Sequence, residues 1–167
     1  MKEIRFDSNF NSNEWFIIIS LIVGILVVLM LPQRYTKKTT GIYLICGIFF
    51  GFIFDHTLSV FPVSYYVIND SNKFELMDFL SHVMYGAYSY LFFYLYDYFK
   101  IKPRLSVVYV LVWALISFGF EGISVAVGVF HYENGYTIYY SFVIYLMVIS
   151  IWLLLHRIVN AYGEKQF

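Results

Sequence analysis

An all-α, polytopic transmembrane bundle of about five helices, N-terminus outside and C-terminus cytoplasmic, is the fold class this sequence predicts, on three observations. Of 167 residues, 60% are hydrophobic and 13% charged, against ~25% charged and ~45–50% apolar in an ordinary soluble domain. Five mostly apolar stretches approach the ~20 residues that a helix needs to cross a ~30 Å hydrocarbon layer. Lysines and arginines gather in alternate connections between those stretches, as cytoplasmic loops do. The formal net charge is zero and no basic stripe occurs, which excludes nucleic acid as a partner and leaves the lipid bilayer as the natural solvent.

The expected spans are residues 15–31, 41–61, 76–99, 105–130 and 137–160. The first starts at Trp15 and is stopped by Pro32. Its leader mixes Lys2 and Arg5 with Glu3, Asp7 and Glu14, and no small-residue cleavage site follows, so it reads as a retained helix and not a signal peptide. Pro62 ends the second span. Residues 63–75, with Asn69, Asp70, Ser71 and Asn72, form the longest external connection and read as a cap. Arg34, Lys37 and Lys38 follow the first span, Lys100, Lys102 and Arg104 the third, and Arg157 and Lys165 the fifth, whereas the other side holds only Lys2, Arg5 and Lys73. No internal repeat or water-soluble module interrupts the pattern, so residues 1–167 read as a single membrane domain.

Charged groups in hydrocarbon cost at least a few kcal/mol each and normally face a bundle interior. Five candidates lie inside the spans: Asp55 and His56 on the second, Asp78 and His82 on the third, Glu121 on the fourth. At ~1.5 Å per residue, all of them fall in the outer part of the membrane. Helical spacing puts Asp78, Ser81, His82 and Tyr85 on one face. Gly47, Gly51 and Asp55 form a small-residue stripe of the kind that lets helix backbones approach closely, as do Ser117, Glu121, Ser124 and Gly128. Asp55 and His56 are adjacent and diverge by ~100°, so at most one of them points inward. No Lys or Arg shares this depth, and burial without a cation disfavours ionised carboxyls. At least one is therefore expected to be protonated, or a cation bound, with His56 or His82 completing a hydrogen-bonded pair.

Several readings fit those residues. One is an outward-facing polar pocket, lined by Asp55, Asp78, Ser81, His82, Tyr85 and Glu121, that binds a small molecule, a cation or a lipid head group. Another is a divalent metal site for zinc, manganese or iron on Asp78, His82, Glu121 and His56, activating water in a membrane-embedded hydrolase of a lipid or small amphiphile. Proton- or cation-linked transport is a further reading. The blandest is a polar network holding helices in register, in a scaffold or subunit that pairs with a second copy or another membrane protein.

Elsewhere, His131 with Tyr132, Glu133 and Asn134 reads as a solvated outer turn, with capping of the cluster from above as the alternative, and His156 with Arg157 as an interfacial pair. Asp97 beside Lys100 reads as a helix end. The lone Cys46 reads as a small hydrophobe. No nucleophile elbow, phosphate loop or dinucleotide fingerprint is present.

Gly51-Phe-Ile-Phe-Asp55, Tyr66-Val-Ile-Asn-Asp70, Glu121, Gly128-Val-Phe-His-Tyr132 and Tyr139-Tyr-Ser-Phe-Val-Ile-Tyr145 together resemble a family of small uncharacterised multi-pass membrane proteins of bacilli and clostridia. The resemblance runs from Pro32 to the C-terminus. It implies a bundle in a bacterial cytoplasmic membrane and no particular activity.

Overall fold

The computed structural model describes residues 10–59, 62–69 and 76–162. Five helices are formed: α1 (Ser12–Met30), α2 (Lys37–Leu58), α3 (Leu76–Tyr98), α4 (Ser106–Ala126) and α5 (Ile138–Tyr162). Two three-residue strands, β1 (Tyr66–Ile68) and β2 (Phe130–Tyr132), pair antiparallel with Tyr66 opposite Tyr132 and Ile68 opposite Phe130. Four helices are long and apolar enough to cross a membrane; α3 is the exception. At 23 residues it is long enough, but it carries Asp78, His82 and Asp97 among serines and tyrosines. Its position explains that composition. It packs along α1 and along α2, and so meets protein where the others meet solvent or lipid.

The boundaries follow from local chemistry. The Glu14 carboxylate accepts the Asn11 N–H at 2.6 Å, closing the N-terminal turn of α1. Pro32 holds Leu31 extended (ψ 135°) and ends that helix. Thr36 caps α2 by accepting the Thr39 N–H at 3.3 Å. At the C-terminus of α3, Lys100 takes φ 49°. There the Ile101 N–H donates to Tyr96 O and the Lys100 N–H to Asp97 O, a Schellman motif on a residue other than glycine. Helix α4 ends in the same motif with Gly128 at φ 86°. It therefore stops at Ala126, short of residue 130 where hydropathy alone places its end, and Phe130–Tyr132 becomes a strand. Part of the external cap, Tyr66–Ile68, is that strand's partner; Asp70, Ser71 and Asn72 lie outside the described residues.

One end of the bundle gathers the 31–36 connection, the C-termini of α3 and α5 and the start of α4. We call it the basic end, for Arg34, Lys37, Lys100, Lys102 and Arg157. The opposite, ribbon end carries β1 and β2. Gly47 lies so close to α3 that a Cβ there would collide with the Tyr85 carbonyl and the Ser89 hydroxyl, as the small-residue stripe predicts. Helices α4 and α5 form a separate hairpin. Tyrosine hydroxyls tie it to α3: Tyr109 donates to Phe92 O at 2.7 Å and Tyr88 to Trp113 O at 3.3 Å. Outward-facing Ile22, Leu29, Val107, Leu115, Val143 and Leu154 are exposed. A surface this apolar marks contact with a membrane.

Candidate functional site

Asp55, at the ribbon end of α2, is buried, while its neighbour His56 is exposed and stacked on Phe52. Only the first points inward, as helical geometry requires. Asp55 Oδ1 accepts the Tyr66 hydroxyl of β1 at 2.7 Å, and Oδ2 lies 3.1 Å from His82 Nε2 on α3. His82 Nδ1 faces the Asp78 carbonyl one turn back. A carbonyl can only accept, so Nδ1 carries a proton. Nε2 is therefore the nitrogen left to face the Asp55 carboxyl. The pairing of Asp78 with His82 thus runs through main chain, and the carboxylate facing the imidazole belongs to Asp55.

Asp78 is buried and turned the other way, with Oδ1 accepting from Asn69 Nδ2 at 2.7 Å just past β1. Ser81 donates to the Asp78 carbonyl at 2.7 Å. Glu121, on α4, is enclosed by hydroxyls. Oε1 accepts from Tyr132 of β2 and Ser141 of α5, each at 2.6 Å, and Oε2 accepts from Tyr145. Tyr136 extends this set, 3.0 Å from Ser141 Oγ. Three donors satisfy a buried carboxylate without a counter-cation. Outside the spans, the Tyr66, Tyr132 and Tyr136 phenols are held above their ordinary range, first by burial and then by the neighbouring Asp55 and Glu121.

The candidate metal set does not converge. Among the described residues no three His, Cys, Asp or Glu side chains are placed to share an ion. His56 faces outward, Asp78 faces Asn69, and Glu121 spends its oxygens on hydroxyls.

What does join Asp55 to Glu121 is a cavity of about 600 Å³ between the α1–α3–α2 layer and the α4–α5 hairpin. Ser81, Tyr85, Ser117 and Ser124 also line it near the ribbon end. Phe50, Trp113, Leu91 and Trp152 make its apolar walls, and Tyr66, Ile68, Val129 and Phe130 of the ribbon close its end. The buried Trp152 Nε1 has no hydrogen-bond partner.

A second polar network lies at the basic end, among residues whose spacing shows nothing unusual. Tyr43 OH is 2.6 Å from His156 Nδ1, and His156 Nε2 is 3.0 Å from Asp97 Oδ1. Tyr35 donates to Asp97 Oδ2 and to Phe93 O, both at 2.8 Å. His156 is 2% exposed, so it is no snorkelling interfacial residue, and Asp97 is more than a helix end. Burial and the adjoining Asp97 push the Tyr35 phenol up.

Compared with known proteins, the chain matches no family model, no curated protein and no solved structure.

Proposed function

We propose that this protein is a five-span membrane protein, N-terminus outside, that binds a small amphiphile in the cavity between its two helix groups. The polar part of the ligand sits against Asp55, which His82 backs, and against Glu121, and the apolar part among Phe50, Trp113 and Trp152. The observation that carries the reading is the cavity itself: about 600 Å³, within the ~300–1,000 Å³ of ordinary ligand sites, with apolar walls and a few convergent polar groups. Asp55, backed by His82, and the hydroxyl-ringed Glu121 supply hydrogen-bonding groups to orient a head group without a metal ion. Helix α3 is the fifth span. The basic end faces the cytoplasm because Arg34, Lys37, Lys38, Lys100, Lys102, Arg104 and Arg157 collect there. Location in a bacterial cytoplasmic membrane, and membership of the family its motifs resemble, belong to the same proposal.

Binding is tested by native mass spectrometry of protein extracted in mild detergent. A retained amphiphile, lost in the Asp55→Asn and Glu121→Gln variants while the fold persists, is the expected result. A cavity empty in every preparation, with no thermal stabilisation by any added amphiphile, would sink the reading. Orientation is tested with Gln33→Cys and Asn134→Cys in a Cys46→Ala background. An impermeant maleimide added to intact cells should label position 134 and spare position 33.

A further inference from the structure

The walls of the cavity show where it opens. Of the side chains that line it, four are exposed: Ile19 at 55% and Val23 at 52% on α1, and Ile116 at 41% and Phe120 at 47% on α4. The remaining lining residues are buried or half-buried. The helix contacts explain why. Helix α1 packs on α3, α3 on α2, α2 and α3 touch α5, and α5 packs on α4, whereas α1 and α4 have no packing of comparable extent. All four rim residues are apolar. Counted at ~1.5 Å per residue from the ribbon-end termini of their helices, they lie roughly 9–17 Å in, well inside a ~30 Å hydrocarbon layer. The ribbon closes the end of the cavity that would otherwise meet water.

The polar groups set the charge of what can be held. Glu121 and Asp55 are the ionisable groups other than tyrosine that line the cavity, and no Lys or Arg lines it among the described residues. A phosphate or carboxylate head would face Glu121 without a cation to offset it, and like-charge contact costs several kcal/mol. An ammonium or a hydroxyl can donate to Glu121 and to the serines around it.

We propose that the cavity is loaded sideways from the bilayer through the gap between α1 and α4, and that its occupant is a membrane lipid with an amine or hydroxyl head and an acyl chain, rather than an anionic phospholipid. This rests on the binding reading above and adds the route and the class of ligand.

The test uses tryptophan fluorescence. The chain has three tryptophans. Trp15→Phe leaves Trp113 and Trp152, both buried in the cavity wall at 5% and 4% exposed. The protein is placed in phosphatidylcholine vesicles with a C18 probe brominated at mid-chain and carrying an ammonium, hydroxyl or phosphate head. Quenching that saturates at low mole fraction is expected for the ammonium and hydroxyl probes, with the phosphate probe needing about tenfold more. Glu121→Gln should abolish that selectivity. Val23→Phe with Ile116→Phe, at half-exposed positions that leave the fold intact, should remove most of the quenching in vesicles; Ile19→Phe with Ile116→Phe serves as a second rim pair. Quenching in detergent micelles but not from the bilayer, or quenching from the bilayer indifferent to both rim pairs, would overturn the lateral route while leaving the binding reading standing. Quenching in neither medium overturns both. Equal binding of the phosphate probe overturns the head-group assignment. Cross-linking of Val23→Cys to Ile116→Cys between two protomers would assign the gap to a second copy of the chain, against the proposal.

Discussion

Each end of the bundle holds a histidine, an aspartate and a tyrosine in hydrogen-bonding reach, yet the two constellations differ in what lies beside them. At the basic end, His156, Asp97, Tyr43 and Tyr35 are packed into aromatic rings: Phe93 stacks on Tyr43 at 3.9 Å between centroids and lies 5.6 Å from His156. At the ribbon end, Asp55, together with Tyr66 and Tyr85, borders the cavity, with His82 behind it. The first group has every neighbour it needs within the chain. In the second, Asp55 and its surroundings meet open volume. Identical side-chain chemistry thus serves cohesion in one place and leaves room for a ligand in the other; the packing around it decides which.

Removing His156 should have the largest effect on stability. His156→Ala leaves Asp97 and Tyr43 partly unpaired in a tight site, and breaking a buried pair costs about 3–5 kcal/mol. A fall on the order of 10 °C in the melting temperature of detergent-solubilised protein is the expected reading, and an unchanged melting curve would erase the contrast between the two ends. Asp55→Asn should cost less, about 1–2 kcal/mol, because the isosteric amide keeps an oxygen to accept the Tyr66 hydroxyl. Its signature is loss of ligand-induced stabilisation, so calorimetry with and without a bound amphiphile separates the two effects. Tyr132→Phe removes one of three donors to Glu121 and should cost about 1 kcal/mol, visible as a small shift in the same scan.

An effect at neutral pH no larger than that of Tyr132→Phe belongs to Tyr35. Its phenol titrates above the ordinary value of 10 in the folded chain, so above pH ~10 the unfolded chain loses that proton first and the native state is disfavoured. The contribution is complete below that pH and declines as the pH rises beyond it. Tyr35→Phe should flatten the alkaline limb of the stability profile and leave the neutral region lower by about 1 kcal/mol for the lost hydrogen bonds.

The helices were legible because lipid-facing residues write themselves as apolar runs, and even α3 stood out by length between polar connections. The end of α4 was not. Gly128 reads equally as a member of a small-residue stripe and as a left-handed cap, and the choice depends on β1, about sixty positions earlier. Asp55, His82 and Glu121 were legible as ionisable groups in apolar surroundings. Their partners Tyr66, Tyr132 and Tyr145 were hidden among 17 tyrosines, none distinguishable by type. Asp97 and His156 were misread because charges at the ends of spans are expected at the interface, and burial there is decided by the loop that folds over them. The i, i+4 pairs Tyr132–Tyr136 and Ser141–Tyr145 were the available clue to the hydroxyl ring around Glu121.

Several tyrosines that join one element to another donate to main-chain carbonyls: Tyr35 of the 31–36 connection to Phe93 of α3, Tyr109 of α4 to Phe92 of α3, and Tyr88 of α3 to Trp113 of α4. A carbonyl is present whatever side chain a residue bears. Among natural variants of this chain, positions 92, 93 and 113 are therefore free to exchange one bulky group for another without losing the bridge, whereas positions 35, 88 and 109 must keep a phenol. The record of substitutions should be lopsided across each contact, tolerant on the accepting side and strict on the donating side.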